Sequence, residues 1–131
     1  MLPRLLIAGF LLAHGALHAS FLSPRPAATA GGPPWPFELD RSWILTPLGG
    51  DPAFTRILGL ALVALTVAGF GLAAIAVLGW LPVSVLAPSV ALGAIGSLAL
   101  LGLFFHPWLI AGVAIDLAAL WAVLVAGWVP E

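Results

Sequence analysis

The chain has 131 residues, of which 63% are hydrophobic and 7% charged, with a formal net charge of −1 and a mean hydropathy of +1.20. An ordinary soluble domain carries roughly a quarter charged residues, and one of this size buries only about two thirds of the surface its unfolded chain exposes, so the composition predicts an all-α integral membrane protein in a single domain. With no lysine and a negative balance the chain has no basic stripe for nucleic acid, and with no cysteine it has no disulfides, thiolate metal sites or thiol catalysis.

The apolar runs number four, each near the roughly 20 residues that a helix rising 1.5 Å per residue needs to cross the hydrocarbon. They cover 5–22, 57–80, 83–105 and 108–129. Only Leu81-Pro82 and His106-Pro107 separate the later ones, and such short turns force antiparallel neighbours. The expected architecture is therefore a four-helix up-down transmembrane bundle.

The first run follows "MLPRLL" and also reads as a signal peptide, with Ala28-Thr29-Ala30 before Gly31 as a small-residue cleavage pattern. It is long for that role, so a retained helix is expected. Within it His14 and His18 lie one turn apart on one face. That spacing suits a pair of metal ligands, but the same stretch offers no third. Haem held by one of them and His106 is disfavoured because His106 falls at a turn. No metal and no cofactor are expected.

Residues 23–56 hold seven prolines and cannot span. Their centre, "PPWPFELDRSWIL", is expected on the membrane surface as a short turn or helix, or as a cap over the bundle mouth. Glu38, Asp40 and Arg41 would face outward, and Trp35, Phe37, Trp43 and Ile44 inward. Trp35, Phe37, Trp43 and Arg41 are the candidate interfacial anchors.

Pro24, Pro82 and Pro107 mark helix ends. Pro88 lies inside the third run and favours a late helix start near Ala87. Small residues recur at helical spacing: Gly69 and Ala73, then Gly93 and Gly96, then Ala114, Ala118, Ala122 and Ala126. Close backbone approach through such residues is how helices associate in lipid.

The fourth run carries Asp116, the one formal charge inside the expected spans. A carboxylate in hydrocarbon costs several kcal/mol unless paired or protonated, which makes an intramembrane acid a candidate site. Counting from Leu22, Phe105 and Pro107 as marks of one membrane face puts His14, Ser97 and Asp116 each about 12–13 Å deep at 1.5 Å per residue. His18 lies between that layer and the long connection. Asp116, His14, His18 and Ser97 are thus the candidate intramembrane polar site.

Orientation rules conflict. Arg25, Arg41 and Arg56 would draw the long connection to the cytoplasm, whereas the first helix, led by Arg4 and the terminal amine, favours an inside N-terminus and an outside connection. The second is expected, in a bacterial cytoplasmic membrane, since the bias to Ala, Gly, Pro, Arg and Trp suits a GC-rich bacterial genome.

No nucleophile elbow, phosphate loop or metalloprotease helix is present, so no enzyme is expected. Nor is there the early intramembrane Glu of small multidrug transporters. The expectation is a structural or accessory subunit, partnered by the lipid bilayer and by a larger membrane protein or by copies of itself. The alternative is a small proton-coupled transporter or channel using Asp116 with His14.

Overall fold

The computed structural model describes residues 1–24, 26 and 35–130. Arg25, the Ala28-Thr29-Ala30 cleavage pattern and Glu131 lie outside the described residues. Helix α1 (Leu2–His18) runs on into a 3-10 turn at Ala19–Leu22, and α2 covers Pro52–Val77. A 3-10 turn leads into α3 (Leu86–Leu103), and another leads into α4 (Ile110–Leu120), which closes in a π turn at Trp121–Val125. All four helices are long and apolar enough to cross a membrane, and no strand occurs among the described residues.

Caps, not hydropathy, set the ends. α2 begins at Pro52 instead of Ile57, because the Asp51 side chain accepts the Phe54 amide proton at 2.8 Å and Pro52, at the first helical position, has no N–H to satisfy. It stops at Val77, short of Trp80, because Gly79 adopts a left-handed φ of 82° and donates its amide to the Ala76 carbonyl. α3 begins at Leu86 with Pro88 in its first turn, where backbone amides have no partner within the helix. α4 ends before 129: Gly127 turns the chain at φ 61°, and the Arg4 guanidinium donates to the Pro130 carbonyl at 3.3 Å.

The helices pack in chain order, α1 on α2, α2 on α3 and α3 on α4. One apolar cluster joins Ala8 and Leu11 to Phe70, Val77, Leu86 and Val123. A second joins Phe21 and Leu39 to Val63, Leu100 and Phe104. Each cluster takes the start of one helix and the end of the next, so successive helices run antiparallel.

The tightest crossing is α2 on α3. A Cβ built on Gly69 would lie 2.3 Å from the Gly93 nitrogen and 2.5 Å from its Cα, so only two glycines allow these backbones to touch. The alanine row of α4 behaves otherwise: Ala114, Ala118 and Ala126 are exposed and only Ala122 is half-buried. The face that α4 turns to its neighbours carries Asp116 and Val123 instead.

The connection from Trp35 to Asp51 folds over the end where α3 stops. Ser42 Oγ donates to the Leu103 carbonyl at 2.6 Å and Trp43 Nε1 to the Gly102 carbonyl at 2.7 Å, satisfying carbonyls left open at a helix C-terminus. Hydrogen bonding therefore decides which residues face in: Pro36, Leu39 and Ser42 are buried and Phe37 is half-buried. Trp43 and Ile44, expected inward, are exposed; the Trp43 ring lies outside while its N–H reaches back. Trp35 is half-buried edge-on to Phe37, Arg41 is exposed, and an exposed Asp40–Arg56 ion pair at 2.8 Å links this segment to α2.

The glycine crossing gives a direct test. Gly69→Ala should destabilise the folded protein in detergent by about 1–3 kcal/mol, the scale of overpacking. Gly71→Ala, which meets nothing within 4 Å, should leave the unfolding midpoint unchanged or slightly raised.

Candidate functional site

α1 buries one stripe, Ala8, Leu11, His14, Gly15 and His18, at the three- and four-residue spacing of a helix face. Its last members are polar because the facing helices answer them. Ser97 lies on the buried face of α3, and Asp116 is the buried residue of α4. Ser97 and Asp116 have no exposed surface, and His14 and His18 almost none.

The four side chains form one hydrogen-bonded chain. His14 Nε2 lies 2.8 Å from Asp116 Oδ1. Ser97 Oγ lies 2.5 Å from Asp116 Oδ2 and 2.7 Å from His18 Nε2. His18 Nδ1 donates to the His14 backbone carbonyl at 2.9 Å. That last bond fixes the second imidazole, since a carbonyl can only accept, so His18 carries its proton on Nδ1 and points Nε2 at Ser97.

For a cluster with no net charge, counting protons leaves two arrangements that satisfy every bond. In the first, Ser97 donates its single hydroxyl proton to Asp116, so His18 Nε2 must donate to Ser97, and His18 is an imidazolium facing a carboxylate. In the second, Ser97 donates to His18 Nε2, so Asp116 carries the proton that joins Oδ2 to Ser97, and the whole cluster is neutral. His14 donates Nε2–H to Oδ1 in both. The arrangements differ by one proton shift from Asp116 to Ser97 coupled to one from Ser97 to His18.

α2 supplies a wall. Phe70, fully buried, stands edge-on to the His14 ring with centroids 4.9 Å apart, and the missing side chain of Gly15 lets it close in. Phe10 stacks on His14 from the turn before, at 6.1 Å. On the α4 side a crevice of 230 Å³ reaches the cluster, lined by His14, Leu17, His18, Trp108, Gly112 and Ile115 among others. Leu17 and Trp108 are exposed, so it opens at the surface.

All four candidates for the polar site thus meet at hydrogen-bonding distance, and His18, placed above the layer by depth alone, is a full member. His106 lies elsewhere: at the start of the turn into α4, its Nδ1 accepts the Trp108 amide proton at 3.2 Å. Phe70 and the His14 carbonyl carry no signal in the sequence; Gly15 beside His14 is the nearest thing to one. Trp35, Trp43 and Arg41 lie outside this cluster, in the connection over the end of α3, while Phe37 from the same segment lines the crevice that reaches His14 and His18. Compared with protein-family models, curated proteins and solved structures, the chain matches none.

Removing the carboxyl separates its two bonds from its volume. Asp116→Leu leaves His14 Nε2–H and the Ser97 hydroxyl without their acceptor, and unfolding in detergent should become easier by about 1–3 kcal/mol. Asp116→Asn should cost far less, because its oxygen still accepts from His14 and its NH₂ donates to Ser97 as the protonated acid does. Equal losses from both variants would show that the bonds carry no stability.

Proposed function

We propose that the chain is a multi-pass membrane protein, a four-helix up-down transmembrane bundle in a bacterial cytoplasmic membrane, whose activity is proton exchange at the His14–Asp116–Ser97–His18 cluster, as in a small proton-coupled transporter or channel. The observation that carries this reading is the unbroken hydrogen-bond chain among buried side chains, two of which line a crevice. Its two arrangements keep the same donors and acceptors in place, so moving the protons breaks no bond. An ionisable residue inside an apolar span that serves only as packing needs a partner but not a second proton arrangement.

The step is balanced within the cluster. The proton on Asp116 Oδ2 passes to Ser97 Oγ while the Ser97 hydroxyl proton passes to His18 Nε2, leaving a carboxylate and an imidazolium with no change in net charge. Exchange with water would occur where His14 and His18 line the crevice between α1 and α4.

Vesicles reconstituted with the protein and loaded with a pH-sensitive dye test this. The wild type should dissipate an imposed pH gradient. Asp116→Asn, which reproduces the neutral arrangement and cannot leave it, and Ser97→Ala, which breaks the chain between Asp116 and His18, should each slow dissipation about tenfold or more, in the range that one positioned proton-transfer group contributes. An infrared carboxyl C=O band lost in Asp116→Asn would locate the proton. Folded Asp116→Asn protein passing protons as the wild type does would overturn the proposal.

A second reading, an accessory subunit in a larger membrane assembly, is favoured by α4, whose exposed residues include Ala114, Ala118 and Ala126 as well as Trp121. A single cysteine at Ala118, in a chain with none of its own, should cross-link to a partner protein in native membranes if α4 is that interface. Cross-links to lipid-soluble probes alone would remove it.

A further inference from the structure

From the same cluster we infer a second ligand: a divalent first-row transition metal ion, held by His14 Nε2, His18 Nε2 and a carboxylate oxygen of Asp116. The inference rests on this cluster being the functional centre, as proposed above, but not on protons crossing the membrane through it.

The three residues each present one ligand atom, all lie within 4.8 Å of one another, and all three are buried. Ligands about 2.0–2.2 Å from a tetrahedral metal stand roughly 3.3 Å apart. The 2.8 Å separation of His14 Nε2 and Asp116 Oδ1 therefore needs to open by a fraction of an ångström and the others to close, within reach of side-chain torsions alone. His18 is oriented as metal-bound imidazoles are, with one ring N–H on a backbone carbonyl and the other nitrogen directed at the shared centre. Phe70 behind His14 keeps the ring from turning away.

Two imidazoles and one carboxylate suit zinc, iron, cobalt or nickel rather than magnesium or calcium, which take oxygen, or cuprous copper, which takes sulfur. Three protein ligands leave a position open. Ser97 Oγ, within hydrogen-bonding distance of both Asp116 and His18, is placed to take it or to hold a water there. Entry is from the crevice that His14 and His18 line. In the neutral arrangement the cluster holds one acidic proton, on Asp116. Binding sends that proton to the buffer while His14 moves its own from Nε2 to Nδ1, so one proton leaves for each metal bound, and proton and metal compete for one site.

The test uses the full chain in mild detergent, purified without a polyhistidine tag and titrated with Co²⁺ and Zn²⁺. One Co²⁺ per chain should bind with visible d–d bands, and Zn²⁺ should displace it. X-ray absorption of Zn²⁺-loaded His106→Gln, in which His14 and His18 are the only imidazoles left, should show two imidazoles with oxygen ligands. His14→Gln and Asp116→Asn should each weaken binding about a hundredfold, at or beyond the upper end of what outer-shell changes cause. Folded wild type that takes up no stoichiometric Co²⁺, or His106→Gln protein whose Zn²⁺ shows fewer than two imidazoles, overturns the metal site without touching the proton reading. Tight metal binding with unchanged proton flux in Asp116→Asn vesicles supports the metal and overturns proton exchange.

Discussion

A carboxyl group enclosed among apolar helices persists only if its oxygens are hydrogen-bonded, and the partners of Asp116 come from two other helices. His14 reaches it from α1 and Ser97 from α3. α1 packs chiefly on α2, and α4 on α3, so the His14–Asp116 contact directly joins two helices that otherwise meet mainly through the apolar cluster they share with α2 and α3. Lipid gives helices no hydrophobic reason to associate. A bond between α1 and α4 therefore supplies association that a hydrophobic drive does not, on the scale of about 0.6–2 kcal/mol.

The position of that bond depends on the glycine crossing of α2 and α3. Gly69 and Gly93 bring two backbones into contact one residue from Phe70, which fixes how far Phe70 projects toward α1. Phe70 in turn meets both Gly15 and the His14 ring. A bulkier residue at any of the three glycines would move the ring whose nitrogen meets Asp116. Packing and chemistry are thus coupled through one phenylalanine, and a small-residue pattern that looks like general membrane composition has a specific task at Gly69, Gly93 and Gly15.

How much of this was legible follows from what kind of pattern each feature leaves. Spans leave long apolar runs, and all four stand out. Depth follows from rise per residue, so His14, Ser97 and Asp116 could be placed in one layer by counting. Facing could not, because runs apolar all round carry little amphipathic signal; that Ser97 turns to His18, or that Ala114 and Ala118 turn outward, is settled only by packing. Helix ends were legible from caps rather than hydropathy: Asp51-Pro52 and Gly79 mark α2 better than the charge at Arg56 or the indole of Trp80. In the connection, hydrophobicity misled. Leu39 and the small polar Ser42 go inside because open carbonyls at Leu103 and Gly102 need donors, and Trp43 serves that need with its ring outside.

The surroundings of the cluster are unequal, and the inequality bears on use. Toward α2 it is sealed by Phe70 with no exposed surface, and toward the start of α1 the exposed Phe10 stacks on the His14 ring. Toward α4 the facing residues include Ala111 and Gly112, too small to fill the space, and the crevice remains. A polar tether that only held helices together would gain from sealing on every side, since excluded water strengthens its hydrogen bonds. An exchanging site needs the opposite on one side, an approach wide enough for a water or a small cation, with rigid aromatic walls elsewhere to keep the ligands aimed. The arrangement around His14 and His18 has both, and that inequality is what supports the proposed exchange of a small cation over tethering alone.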